Sequence, residues 1–389
     1  MPAHPPLIVA WARSAVVPRH GAFKTLHTHE LAAPIIHALL ARAGMSGNVV
    51  DAVVMGNALG AGGNPARMLA LHANLHPSCA TYTIDTQCCA GLDAVAMGAA
   101  LIASGQAHVV IAGGAEAWSR SPIRMHRPQS ENEPAVAFER PRFAPTPEQD
   151  PDMLLSAARY AAHAGYTRAQ QEAYAAQSHA RAVAHQATIR HEITPILNVT
   201  HDMHPRPIDV ARAARMPVVA RTDAPQADDT CALSALTVSA QADGAAFVLL
   251  ASPQACEQYK LTPQAQWVAH ASVGSAPETP LLAAHTAAKH ALRRAGLANA
   301  KDLVHVELHD AFAVQGLSFA HSLGLQPEQL NARGGGLCRG HPIGASAAIG
   351  LVRLLADLVG SPTANAKGLV AVAGAGGLGS AAVLASLAP

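Results

Sequence analysis

Cys88 stands in the run IDTQCCAGLDAV. Cys79–Thr86 alternates small and β-branched residues and reads as a strand entering a tight turn. Gly91–Ser104 follows, apolar almost all round, and reads as a buried helix. A cysteine at a helix N-terminus has its thiolate favoured by the dipole and by unpaired N–H groups. The same N–H groups can hold the oxyanion of a thioester carbonyl. Ala90 and Gly91 are small enough to let an acyl chain reach the sulfur. The competing reading is that Cys88 and Cys89 are inert core thiols, as cysteines often are.

His341 stands in RGGGLCRGHPIGASAAIG, with four glycines before it and Pro342 and Gly344 after it. The chain has 22 histidines, so a lone one means little. This one is fixed by its context just ahead of a buried helix, where a general base belongs. Gly334, Gly335 and Gly336 could cradle a phosphate, but no P-loop or dinucleotide fingerprint accompanies them. His309, in ELHDAFAVQG, is delivered to the end of an apolar strand, where α/β sheets place ligand sites. Asp310 beside it reads equally as a helix N-cap. Gly374–Gly379 either supplies N–H donors or allows close packing. One cysteine and two histidines at strand ends suit acyl transfer through a thioester.

The elements that position them recur. Strand-like runs are Leu7–Ala10, Val49–Met55, Val109–Ala112 closed by Gly113-Gly114, Asp243–Ala251, Gln266–Ser272, Val304–Leu308 and Leu369–Ala373. Helical runs are Leu31–Ala43, Pro65–Asn74, Met153–Ala164, Arg168–His185, Ala283–Ala295, Val314–Leu323 and Gly344–Leu358. Gln87–Gly114 and Gly340–Gly377 share one order: a reactive residue in a turn, an Ala-rich helix, and a strand ending in glycines. The order implies an internal duplication of an α/β unit. Between the halves, about Ser119–Asp243 is more polar, and His201–Asp229 has no period and reads as loop.

Composition excludes much else. In 389 residues, 50% hydrophobic and 14% charged, there is ample core for two or three domains. Lys plus Arg is 27 and Asp plus Glu is 26, so no basic excess points to nucleic acid or a membrane surface. Ala94–Ala115 and Gly368–Pro389 are uncharged or nearly so, but rich in Gly and Ala; each reads as a buried helix and strand rather than a membrane span. Six cysteines without paired spacing give no disulfide framework or zinc site. The opening residues show no secretory pattern, so a cytoplasmic location is expected. No cluster suggests a metal or a redox cofactor.

These residues carry a family resemblance. The blocks VVMGNALGAGGNPARMLAL, QCCAGLDAV, VVIAGGAEAWSRSP, DGAAFVLL, HDAFA and GGGLCRGHPIGASAA resemble the thiolases (acyl-CoA C-acyltransferases) in order and spacing over nearly the whole chain. The resemblance implies an α/β thiolase fold: two βαβαβαββ halves in a five-layer α-β-α-β-α sandwich. Residues 1–118 and 244–264 would form the first half, 119–243 an inserted loop domain that binds coenzyme A, and 265–389 the second half. Coenzyme A thioesters would be substrates, with no bound cofactor, and the chain would form a homodimer or homotetramer. Cys88 matches the acylated nucleophile and His341 the histidine that activates it. His309 falls where most thiolases have Asn, and resembles the sterol-carrier type and the Cys-His-His ketoacyl synthases. Ala375 matches a glycine whose N–H, with that of Cys88, holds the thioester oxygen. Ser239 matches a serine lining the pantetheine loop, and Asp152-Met153-Leu154 stands in the family's H-M-G block, so Met153 is a substrate-side residue.

The chain also departs from the family. The second catalytic cysteine, in a C-x-G block, is Ala373 here, and the H-D-C-F alternative has Ala311. Cys89 replaces a residue that is usually small, and the M-G-x-G-P block is absent near Ala276–Pro280. The expected activity is thiolysis or Claisen condensation of a 3-ketoacyl-CoA through a Cys88 acyl-enzyme. The alternatives are decarboxylative condensation, transfer to a non-CoA acceptor, thioester hydrolysis, or a weakly catalytic acyl-CoA-binding subunit. Cys89, Cys338 and His309 are the candidates to replace the missing thiol.

Overall fold

A computed structural model describes residues 5–387. Residues 1–4, 388 and 389, which the two expected halves include, lie outside the described residues. The first half contributes strands β1 (Leu7–Arg13), β2 (Ala52–Gly56), β3 (Ala80–Ile84), β4 (Val109–Ala117) and β5 (Ala242–Ala251). Its helices are α1 (Thr28–Ala43), α2 (Pro65–His72) and α3 (Ala90–Ala103). The insertion carries α4 (Met153–Ala164) and α5 (Arg168–Ala184). The second half contributes β6 (Ala265–Gly274), β7 (His305–His309), β8 (Lys367–Gly374) and β9 (Leu378–Ser386). Its helices are α6 (Ala283–Arg294), α7 (Ala313–Leu323) and α8 (Ser346–Val359).

The duplication is visible in the pairing. In the first half β2 lies parallel to β4, which is antiparallel to β5, which is antiparallel to β1. In the second half β7, β8, β9 and β6 repeat that sequence of directions. The counterpart of edge strand β3 is reduced to one parallel bridge, Val306 to Leu330. Two residue pairs, Leu7–Gln266 and Ile8–Ala265, join the halves into one continuous sheet path.

Three apolar layers make the sandwich. Helix α1 buries Leu31, Ile35, Ile36 and Leu39 against Phe247 and Leu249 on the outer face of the first half. Helices α3 and α8 lie between the halves, with Leu92, Val95, Leu351 and Leu355 packed among Val110, Val248, Val370 and Leu384. Helices α6 and α7 cover the outer face of the second half through Ala287, Ala291 and Phe319. Strand β5 shows why its sequence has no polar alternation: Phe247 and Leu249 face one layer, Val248 and Leu250 the other.

Four expectations are corrected. Gly113-Gly114 does not close a strand: β4 continues to Ala117. A Cβ at Gly114 would lie 2.0 Å from the carbonyl oxygen of Gly344, so glycine there admits the loop of the other half. Residues 368–386 form two antiparallel strands, not a helix and a strand, because Gly376 and Gly377 take left-handed φ of 76° and 80° and reverse the chain. The run begun at Val49 is first a 3-10 turn, Gly47–Val49. The loop 201–229 holds a short helix, Val210–Ala213, and a strand, Val218–Ala220, paired with Leu233–Ser234. Among the described residues no helix is long and apolar enough to cross a membrane, and no group of His, Cys, Asp and Glu is placed to hold a metal ion.

Candidate active site

The two central helices bring their N-terminal turns together. Cys88 lies in the 3-10 turn Gln87–Cys89 that enters α3, and Gln87 before it holds a left-handed φ of 55°. Such a conformation costs a non-glycine residue on the order of 1–2 kcal/mol and aims the next side chain outward from the turn. The Asp85 carboxylate supports it, accepting from the Gln87 backbone N–H at 3.0 Å and its side-chain amide at 3.1 Å. His341 precedes the turn Ile343–Ala345 that enters α8. Its backbone is pinned by donation to the Ala240 carbonyl at 2.7 Å.

The sulfur of Cys88 lies 3.1 Å from His341 Nε2. His341 Nδ1 is 3.2 Å from the Ser346 hydroxyl, and the Ser346 proton is donated to the Pro342 carbonyl at 3.0 Å. The serine oxygen therefore accepts, and the imidazole hydrogen sits on Nδ1. That leaves a bare lone pair on Nε2 facing the thiol. His309 Nε2 is also in close contact with His341 Nδ1, and the two rings stack with centroids 4.4 Å apart. His309 thus lies behind His341.

Burial sets the charge states. It pushes the Cys88 thiol up to about 12, against hydrogen bonds from the Ala375 N–H and its own N–H to the sulfur. It lowers His341 to about 4. Burial, then the neighbouring His341 and Arg339, hold His309 well below its ordinary value. The resting trio is uncharged near neutral pH. The expected helix-dipole stabilisation of the thiolate is outweighed by desolvation in the free enzyme.

Three loops are clamped around this trio. Glu116, near the end of β4, accepts from the Asn57 amide at 2.7 Å, Ala58 N–H at 2.9 Å, Leu59 N–H at 3.3 Å and Gly344 N–H at 3.0 Å. Burial raises its carboxyl to about 7. Sequence reading missed it, although a single carboxylate in an apolar strand was the available signal. Asp310 does not cap α7, whose N-cap is Phe312. It is fully buried, accepting from Tyr174 Oη at 2.7 Å and Leu337 N–H at 3.0 Å, and so ties α5 to the glycine loop. That loop needs Gly336: a Cβ there would lie 2.3 Å from His309 Nδ1. Ser239 donates to the Gly336 carbonyl at 2.7 Å, which makes it a brace of the same loop.

The remaining candidates fall elsewhere. Met153 is the first residue of α4, capped by Asp152, and packs with Leu154 where the insertion meets Leu281, Phe312 and Val314 of the second half. Cys338 is buried, 3.2 Å from the Gly335 carbonyl, facing away from the trio. Cys89 is buried with its sulfur 3.9 Å from the Val372 carbonyl. Ala373 lies at the end of β8 with only its methyl group to offer.

Comparison with known proteins matches this architecture. The thiolase N-terminal domain model matches residues 7–254 and the thiolase C-terminal domain model residues 261–386. The chain belongs to the thiolase family. The acetyl-CoA acetyltransferase of Shinella zoogloeoides is 32% identical, over 98% of this chain and 99% of that protein. That of Chromobacterium violaceum is 33% identical, over 96% and 97%. Among solved structures, a Bacillus anthracis acetyl-CoA acetyltransferase superposes with a TM-score of 0.90 at 27% identity, covering 99% of each chain. A thiolase of Ascaris suum in complex with coenzyme A gives 0.89 at 26% identity, covering 98% of this chain and all of that one. Membership makes this thiolase an acyltransferase of the acyl-CoA type.

Proposed function

We propose that this thiolase transfers acyl groups between coenzyme A thioesters and a carbon acceptor through a Cys88 acyl-enzyme. The observation that carries the proposal is the Cys88 thiol 3.1 Å from a correctly tautomerised His341 Nε2, with the Ala375 N–H beside the sulfur. His341 takes the thiol proton as the sulfur attacks the thioester carbonyl. The N–H groups of Cys88 and Ala375 then hold the oxygen. His309 and Ser346 keep the His341 hydrogen on Nδ1.

The insertion 119–243, set between the half formed by 1–118 with 244–264 and the half formed by 265–389, is proposed to cover coenzyme A. Its support is the Ascaris suum thiolase complex and the position of α5, whose Ser178 receives the Gly335 N–H at 3.0 Å beside the glycine loop. Ser239 and Met153 would lie along the pantetheine path. The enzyme is proposed to act as a homodimer or homotetramer: β3 ends the sheet, and exposed Tyr82, Met68 and Leu71 line that edge. Light scattering with size exclusion measures this directly. Six free cysteines fit a reducing, cytoplasmic setting.

The test is loss of acetoacetyl-CoA absorbance on adding free coenzyme A, with Cys88→Ala as control. Loss that needs both coenzyme A and Cys88 supports the reading; equal turnover in the variant removes it. A second reading rests on Ala373. A decarboxylating condensation needs no α-proton removal, so turnover of malonyl-CoA but not acetyl-CoA would favour it.

A further inference from the structure

If the Cys88 acyl-enzyme forms as proposed, carbon–carbon bond formation still needs a base for the α-proton of the second acyl-CoA. Each substitute for a thiol at position 373 is placed elsewhere. The Cys89 sulfur faces the Val372 carbonyl, and a Cβ at Gly374 would lie only 3.2 Å from it. Cys338 donates to Gly335 behind the glycine loop. Ala311 has no ionisable atom. The Glu116 oxygens are occupied by four N–H donors. Asp85 is engaged by Gln87. Among the described residues, the basic side-chain atom in hydrogen-bond range of the Cys88 sulfur is His341 Nε2.

We infer that His341 is the base of both half-reactions, first for the thiol and then for the α-carbon, with His309 as its positioning residue. The proton count closes with this one group. In the first half, Nε2 takes the Cys88 proton, the sulfur–acyl bond forms, and the departing coenzyme A thiolate takes that proton back. His341 is again neutral. In the second half, Nε2 takes the α-proton of the incoming acyl-CoA, and the carbanion attacks the acyl carbon. The bond to Cys88 breaks, and its thiolate recovers the proton from Nε2. The products are a 3-ketoacyl-CoA and free coenzyme A, with no second acid required. His309 fits the supporting role because it touches Nδ1 of His341 rather than the sulfur. There it shares the Nδ1 hydrogen with the Ser346 oxygen in both steps and holds the ring when Nε2 is protonated.

The experiment is exchange of the acetyl-CoA methyl protons in deuterated buffer, followed by mass spectrometry, alongside the rate of Cys88 acylation by acetyl-CoA. His341→Ala is expected to slow exchange by about 10²–10⁴-fold and to slow acylation with it. His309→Ala is expected to lower both rates by a common factor with little change in KM. His309→Asn, whose amide oxygen can accept the same hydrogen, restores both in part. Exchange that survives in folded His341→Ala, or acylation and exchange that respond independently, overturns the inference by revealing a second base. The two levels separate in the unmodified enzyme. Failure of acetyl-CoA to acylate Cys88, read from intact mass, removes the acyl-enzyme itself. Acylation without exchange removes only the shared base.

Discussion

Cys88 carries a conflict between its two surroundings. The N–H groups of Ala375 and of its own backbone favour the thiolate, while burial disfavours it, and burial dominates at about 12 against an ordinary 9.0. His341, lowered to about 4 by burial, stays neutral and cannot form a resting ion pair with the sulfur. A thiol raised in this way exposes more thiolate with each step in pH. Alkylation of Cys88 in the free enzyme is therefore expected to climb roughly tenfold per pH unit above neutrality with no plateau. A plateau near about pH 6–7 would mean a thiolate–imidazolium pair and would contradict the neutral trio. The residue types of this trio were legible because Cys88 and His341 stand in glycine-marked turns and His309 ends an apolar strand. Their contact was not, since nothing in the sequence states that positions 88 and 341 meet.

At the scale of elements, the meeting depends on how α3 starts. Asp93, in its first turn, accepts from Thr86 at 2.6 Å, Ser272 at 2.5 Å and Ser380 at 2.8 Å, which ties the nucleophile turn to β6 and β9. Burial opposes its charge, but donors from His270, Ser272, Thr86 and Ser380 hold it below the ordinary value. Asp93→Ala removes the acceptor that three hydroxyls share and is expected to cost about 1–3 kcal/mol, read as a lower urea midpoint, with slower Cys88 acylation. An unchanged midpoint would mean the turn is held by other contacts. Helix α3 itself was legible from its apolar sequence, as was α8. The continuation of β4 past Gly113-Gly114 was not, because Gly114 answers to Gly344, 230 residues on, and Gly113 to Ala246 and Phe247 of the neighbouring strand, rather than to a local turn. Asp310 misled for the same reason: its partners, Tyr174 and Leu337, come from the insertion and the glycine loop.

Across the whole molecule, buried charge decides how the insertion is held and how the fold answers acid. His179, His204, His285 and His341 are lowered to about 3, 4, 4 and 4, burial being the first cause of each, and burial also holds His309 well below its ordinary value. Between about pH 4.5 and 6.5 the unfolded chain binds protons that these five refuse, so their contribution falls as pH drops. Glu116 and Glu307, both raised to about 7, pull the other way but are outnumbered. Stability measured by urea is expected to rise from about pH 4.5 to 6.5; a flat profile would refute the neutral histidines. The insertion's anchor is ionic. Arg13 on β1 donates to Glu192 at 2.7 Å and to both Asp202 oxygens at 2.7 and 3.0 Å, and Arg353 on α8 pairs with the same Glu192. Both arginines and Glu192 are fully buried, so one insertion carboxylate faces two guanidinium groups from the two halves. Glu192→Gln removes the carboxylate that Arg13 and Arg353 share, leaving each with one buried partner, Asp202 and Asp357, and is expected to cost about 3 kcal/mol. Arg159–Asp223, with side chains 45% and 56% exposed, is the internal contrast, and Asp223→Asn is expected to leave the urea midpoint nearly unchanged. Urea unfolding of the two variants side by side decides it. Equal midpoints would mean that the buried cluster anchors the insertion no better than a solvated pair, and that the packing of α5 against the glycine loop holds it instead.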